Sequence, residues 1–184
     1  MSKKQLHLFV IVSGIPASGK TTLGRELARK LALPFLDKDE ILEAMFESEG
    51  IGDLAWRRKL SRSSDDSLKQ LALKSAGAVI TSFWRNAKTD EGSGTPVDWL
   101  RELPGKVIEV YCQCDPEIAV ARFKARQRHP GHLDLVKSTD GILEQFRRHA
   151  STGALGIGEV VTVDTGRAYD LDSVVLETRI KLSS

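Results

Sequence analysis

Two hydrophobic rhythms alternate along this 184-residue chain. Short apolar runs, rich in β-branched and aromatic side chains, occupy 6–13, 33–36, 77–83, 106–112 and 159–163. Their length and composition read as buried strands. Between them, apolar residues return every three or four positions over 20–32, 39–47, 53–75, 115–128, 139–150 and 170–182. That is the spacing of amphipathic helices, and Leu23, Leu27, Ala28 and Leu31 show it in the first helical stretch. Asp115-Pro116-Glu117 opens a later one with an N-cap acid, a proline at the first helical position and an acid in the first turn. Strands alternating with helices predict an α/β chain, a parallel sheet with helices on both faces. Polar, glycine-containing segments at 88–98 and 151–158 read as loops. No linker divides the chain, so residues 1–184 are expected to form a single domain.

Composition changes this picture little. Hydrophobic residues make up 41%, enough for a core, and the net charge of +2 carries no global signal for a polyanion partner. Nucleic acid therefore gains no special support and is not excluded. Cys112 and Cys114 lie in one apolar run, two apart on one strand face, which suits reduced thiols and a cytoplasmic setting rather than a disulfide. The first apolar run is too short for a signal sequence or membrane span, so neither targeting nor membrane insertion is expected.

The chemistry enters at the end of the first strand. Gly14, Ile15, Pro16, Ala17, Ser18, Gly19, Lys20 and Thr21 match G-x-x-x-x-G-K-T, followed by Thr22. Small residues let successive backbone N–H groups turn toward phosphate oxygens. Lys20 would reach the β- and γ-phosphates, and the Thr21 hydroxyl would bind Mg²⁺. The helix that follows offers its positive end to the anion. Strand, glycine loop, helix is the order this motif requires.

A second chemical segment follows the next strand, Phe35-Leu36-Asp37-Lys38-Asp39-Glu40. In an open parallel sheet, ligands bind beyond the carboxyl ends of the strands, so Asp37 and Asp39 should face the phosphate loop. Phosphoryl transfer needs metal, positive charge and an oriented nucleophile. One carboxylate would support Mg²⁺ while the other accepts the proton of a substrate hydroxyl. Asp39 also reads as an ordinary N-cap of the helix it opens.

With these residues in hand, the chain resembles the small P-loop kinases: shikimate and gluconate kinases, chloramphenicol phosphotransferase, the zeta toxins and the kinase domain of polynucleotide kinase. In texture it is most similar to the AAA-domain-like group of small ATP-dependent kinases. The resemblance rests on 8–45, extends over 106–132 and fades elsewhere. It implies a three-layer P-loop NTPase fold of the nucleoside-monophosphate-kinase type, with a five-stranded parallel sheet in order 2-3-1-4-5. It implies ATP and Mg²⁺ as cofactors, Asp39 as base and Asp37 as support for metal or substrate. It also implies an acceptor region over 40–62 and 83–100 and a lid over 122–138.

Residues 122–128 are basic, and Arg122 and Arg126 share a helix face before Pro130 and Gly131 break the helix into a mobile loop. Such charge suits a transferring phosphoryl group, and guanidinium is always ionised. A solvated basic face is the plainer reading. By the resemblance, Arg122 packs near adenine and Arg126, with Arg128, touches phosphates. Asp164 and Thr165 end the last strand where related kinases approach adenine; a plain turn serves equally. His129 and His132 lack a third ligand for zinc. The third strand ends without an acid, leaving Ser82, Trp84 and Arg85 at the active edge for substrate contact or packing. Arg57, Arg58, Lys59 and Arg62 beside Trp56 would attract an anionic or aromatic acceptor, or simply face solvent. The leading expectation is an ATP-dependent kinase acting on the hydroxyl of a small molecule. The alternatives are an ATP-binding regulatory or switch protein without such an acceptor, and a toxin-like or polynucleotide-type kinase.

Overall fold

A computed structural model describes residues 7–86, 88, 92–133 and 139–183. Five strands, β1 (Leu8–Gly14), β2 (Phe35–Asp37), β3 (Gly77–Thr81), β4 (Lys106–Gln113) and β5 (Glu159–Asp164), form one sheet in order β2-β3-β1-β4-β5. Every pairing is parallel. Six α-helices accompany them among the described residues: α1 (Lys20–Leu31), α2 (Lys38–Glu49), α3 (Leu54–Lys74), α4 (Pro116–Ala125), α5 (Thr139–Thr152) and α6 (Leu171–Ser183). No helix among the described residues is long and apolar enough to cross a membrane.

Alternation along the strands builds two cores. Val10, Val12, Val79, Ile108, Val110 and Val161 pack with Leu23 and Leu27 of α1 and Val174 and Val175 of α6. Phe9, Ile11 and Ile80 point the other way, onto Leu68 and Ala72 of α3 and onto Trp84, Trp99 and Leu100. Trp99 and Leu100 belong to a 3₁₀ turn, Asp98–Glu102, that the periodicity did not reveal.

One buried acid sits inside the sheet. Glu109 of β4 is 0% exposed. Its Oε1 accepts from Ser13 Oγ (2.5 Å) and Leu155 N (2.7 Å), and its Oε2 from Gly156 N (2.9 Å) and Ile157 N (3.3 Å). The glycine-rich segment before β5 is thereby fastened to the strand beside β1.

Two expectations need correcting. α4 stops at Ala125 rather than reaching 128, because Arg126 is extended (φ −77°, ψ 142°). Apolar anchors end near Phe123, and beyond Ala125 the Arg126 guanidinium lies over the Phe123 ring, 4.2 Å from its centroid. Nor is the segment after α4 a loose loop up to Leu133. A 3₁₀ turn, Pro130–His132, seats Gly131 and His132 in a buried position against α2. Residues 134–138 of the expected lid lie outside the described residues.

Candidate active site

The loop between β1 and α1 wraps tightly. Gly14 has φ +134°, and a Cβ there would come within 2.6 Å of the Cys112 carbonyl oxygen. Gly19, with φ +94°, caps α1 without a side chain, so the first helical N–H groups are left for a ligand. Lys20 Nζ donates to the Gly14 and Ile15 carbonyls at 3.0 and 2.7 Å. Burial pulls its pKa down to about 8, with Arg126 adding to the pull and the carboxylates of Asp39 and Asp37 opposing it.

The capping question resolves in favour of Asp37. Its Oδ1 accepts from Asp39 N at 2.9 Å and caps α2, while its Oδ2 accepts from Thr21 Oγ1 at 3.0 Å. One carboxylate thus joins the first turns of α1 and α2. Burial raises its pKa, helped by Asp39 and Glu40 and opposed by those two hydrogen bonds. Asp39 is released from capping. Burial pushes its pKa up, but Arg128, His132, Lys38 and Lys20 together outweigh it, and the net shift is downward. Arg128 Nη2 lies 2.5 Å from Asp39 Oδ2.

These residues line one cavity of about 640 Å³. On the β4–β5 side its wall includes Arg122, Arg126, Thr165, Arg167 and Tyr169; on the β2–β3 side it includes Asp39, Arg57, Ser61, Phe83 and Arg128. Arg122 Nη1 donates to the Thr165 carbonyl at 2.9 Å, which holds the turn after β5. Asp164 lies outside the lining: its Oδ1 accepts from Gly166 N, and its Oδ2 pairs with Arg167 Nε at 2.8 Å. It serves the turn.

Several side chains take partners that the sequence did not name. Ser82 Oγ lies 2.5 Å from Thr95 Oγ1, which donates to Asp65 Oδ1 at 2.7 Å. Asp65 also pairs with Lys38 Nζ at 3.3 Å, and that ammonium donates to Ser61 Oγ at 2.8 Å. This chain of polar groups links α2, α3 and the end of β3 beneath the cavity. No sequence motif marks Lys38, though it stands between the two acids. Trp84 is a packing residue whose Nε1 donates to the Val12 carbonyl at 2.9 Å. Arg85 Nη2 donates to the carbonyls of Gly92 and Gly94 and braces that loop. Residues 87 and 89–91 of the expected acceptor region lie outside the described residues. Trp56 stacks on Phe46, and Arg58, Lys59 and Arg62 line a separate surface groove. His129 Nε2 and His132 Nε2 lie 3.0 and 2.8 Å from Glu47 and Glu43 carboxylates.

The model of one family, described as an AAA domain, matches residues 9–150. The chain belongs to the AAA domain family. A shikimate kinase from Bacteroides fragilis is 28% identical over 124 residues, 66% of this chain and 65% of the relative. The chain thus spans under two thirds of that curated relative. The structure of a candidate kinase from Chloroflexus aurantiacus is 30% identical, superposes with a TM-score of 0.80, and matches 96% of this chain and 99% of that one. A shikimate kinase structure from Bacteroides thetaiotaomicron, 18% identical, shares the fold with a TM-score of 0.56 over 96% of this chain and 99% of its own. The architecture of this AAA domain is that of the small P-loop kinases, with the sheet order that the resemblance implied.

Proposed function

We propose that residues 1–184 form an ATP-dependent kinase unit that transfers the γ-phosphate to a hydroxyl group of a small molecule, in a cytoplasmic setting that suits its two free thiols. The observation that carries this reading is the position of Asp39: freed from capping by Asp37, its carboxylate lines the same cavity as Lys20 and Thr21. In this scheme the loop amides and Lys20 grip the phosphates. Arg122 and Thr165 border the nucleotide base, and Arg126 faces the charge that develops on the leaving side. The Thr21 hydroxyl and Asp37 carboxylate, 3.0 Å apart, are hard oxygen donors that fit Mg²⁺, which when bound neutralises phosphate charge. The acceptor oxygen bonds to the γ-phosphorus, the bond to the β–γ bridging oxygen breaks, ADP leaves with the electron pair, and Asp39 takes the hydroxyl proton.

The test is a screen of small hydroxylated acceptors with γ-labelled ATP, using Lys20→Ala as blank. Asp39→Asn should bind ATP yet lose transfer by about 10²-fold or more. Full transfer by Asp39→Asn would remove Asp39 from the role of base.

A further inference from the structure

The acid assigned to the acceptor already has a partner. Arg128 Nη2 occupies Asp39 Oδ2 at 2.5 Å, and the arginine side chain is only 17% exposed. This guanidinium is delivered by a built seat. His129 Nε2 lies against Glu47 and His132 Nε2 against Glu43, at 3.0 and 2.8 Å. Arg57 Nε donates to the His132 carbonyl at 2.9 Å. Gly131 approaches Phe46 so closely that an added Cβ would lie 2.5 Å from the ring. None of these contacts uses Asp39, so the seat stands without the ion pair.

We propose that Arg128 is a specificity-determining residue that selects an acceptor hydroxyl over water, by partly covering Asp39 until the acceptor arrives. The inference rests on the kinase reading, with Asp39 as proton acceptor. A kinase that grips a triphosphate beside a free carboxylate is poised to waste it. Water oxygen would bond to the γ-phosphorus, the bridging bond would break, ADP would leave, and the water proton would pass to Asp39. Arg128 engages Oδ2 while the Asp39 side chain keeps 49% of its surface exposed, so the guanidinium does not seal the carboxylate. A proton taken at Oδ2 must displace a charge-assisted hydrogen bond, and one taken at Oδ1 goes to a carboxylate whose charge is already shared with Arg128. Water has no other contacts to offset either loss. A larger acceptor has them. It fills the β2–β3 side of the cavity, against Arg57, Ser61 and Phe83, and spends that contact energy on moving the guanidinium aside. Arg128 itself lines the cavity and precedes the Pro130–His132 turn, so its displacement calls for a side-chain swing rather than unseating of that turn.

The experiment needs only Mg·ATP. Hydrolysis is measured without acceptor for the wild type, Arg128→Met, Arg128→Lys and the double variant Arg128→Met with Asp39→Asn. ATP affinity and thermal midpoint are measured alongside. Arg128→Met should hydrolyse ATP about tenfold faster than wild type, the scale of one charge-assisted hydrogen bond. Arg128→Lys, which keeps the cation without the planar fork, should lie between the two. The double variant should fall below wild type, because the gain runs through Asp39. If Arg128→Met binds ATP and melts like wild type but hydrolyses no faster, the covering role is wrong and the kinase reading survives. If Arg128→Met melts early, Arg128→Gln replaces it under the same criterion. If the wild type fails to bind ATP, or Lys20→Ala binds it as tightly, the kinase reading falls and the covering role falls with it.

Discussion

Replacing Glu109 by Gln keeps size and shape but changes one acceptor oxygen into a donor. In the native chain two oxygens receive four donors: Ser13 Oγ and Leu155 N on one, Gly156 N and Ile157 N on the other. Turned toward Gly156 N and Ile157 N, the amide NH₂ meets two donors and orphans both; turned the other way it meets Leu155 N, while the Ser13 hydroxyl can rotate to accept from it. At least one buried N–H loses its acceptor, at about 1–3 kcal/mol, and the bonds that remain lose their charge assistance, so the sum falls at about 2–4 kcal/mol. For a chain of this size each kcal/mol moves the midpoint by about 2–4 °C. Calorimetry should therefore show Glu109→Gln melting about 10 °C early. Ser13→Ala, which removes a single donor, should cost about 1 kcal/mol. A Glu109→Gln midpoint within about 2 °C of wild type would refute the claim that this carboxylate organises the segment before β5.

Stability should also fall on acidification through His132. Burial and Arg128 lower its pKa below the ordinary 6.5, against Asp39 and Glu43, which raise it; Arg57 bonds its carbonyl and His129 lies beside it. The folded chain then binds fewer protons at this site than the unfolded chain, so its contribution is present above 6.5 and is lost as pH drops below that value. Denaturation series between pH 7.5 and pH 5 should show His132→Gln flattening the acid-side slope; an unchanged slope would remove His132 from the cause. Cys112, pushed up to about 12 mainly by burial, should resist iodoacetamide at pH 8 in the folded protein and react once unfolded; mass spectrometry showing rapid labelling of native Cys112 would overturn this.

What was legible in the sequence was what local chain chemistry demands. Gly14 and Gly19 stand where the backbone needs positive φ, Lys20 where a phosphate needs a cation, and Asp37 and Asp39 where a strand ends at the ligand edge. The strand order followed from the resemblance. What escaped was long-range. Arg128 and Asp39 are 89 positions apart, and nothing near either residue announces the other. Lys38 carries no local signal of a role because its partners, Ser61 and Asp65, come from α3. Periodicity carries α4 too far because it reports which residues seek the core, and Arg126 to Arg128 seek none; an aromatic ring and a carboxylate decide their path instead.

The seat around Phe46 has a consequence for anyone wishing to redirect this protein toward another acceptor. Phe46 is stacked by Trp56 on one side and by His129 on another, with ring centroids 5.2 Å apart in both cases, and His132 meets it edge-on. Helices α2 and α3 therefore do not make a cassette that can be cut at their ends. A chimaera that imports 38–74 from a relative while keeping the native turn at Pro130–His132 would pair a foreign floor with a mismatched seat. The exchangeable unit is discontinuous: 38–74 together with 128–132, transplanted as one piece.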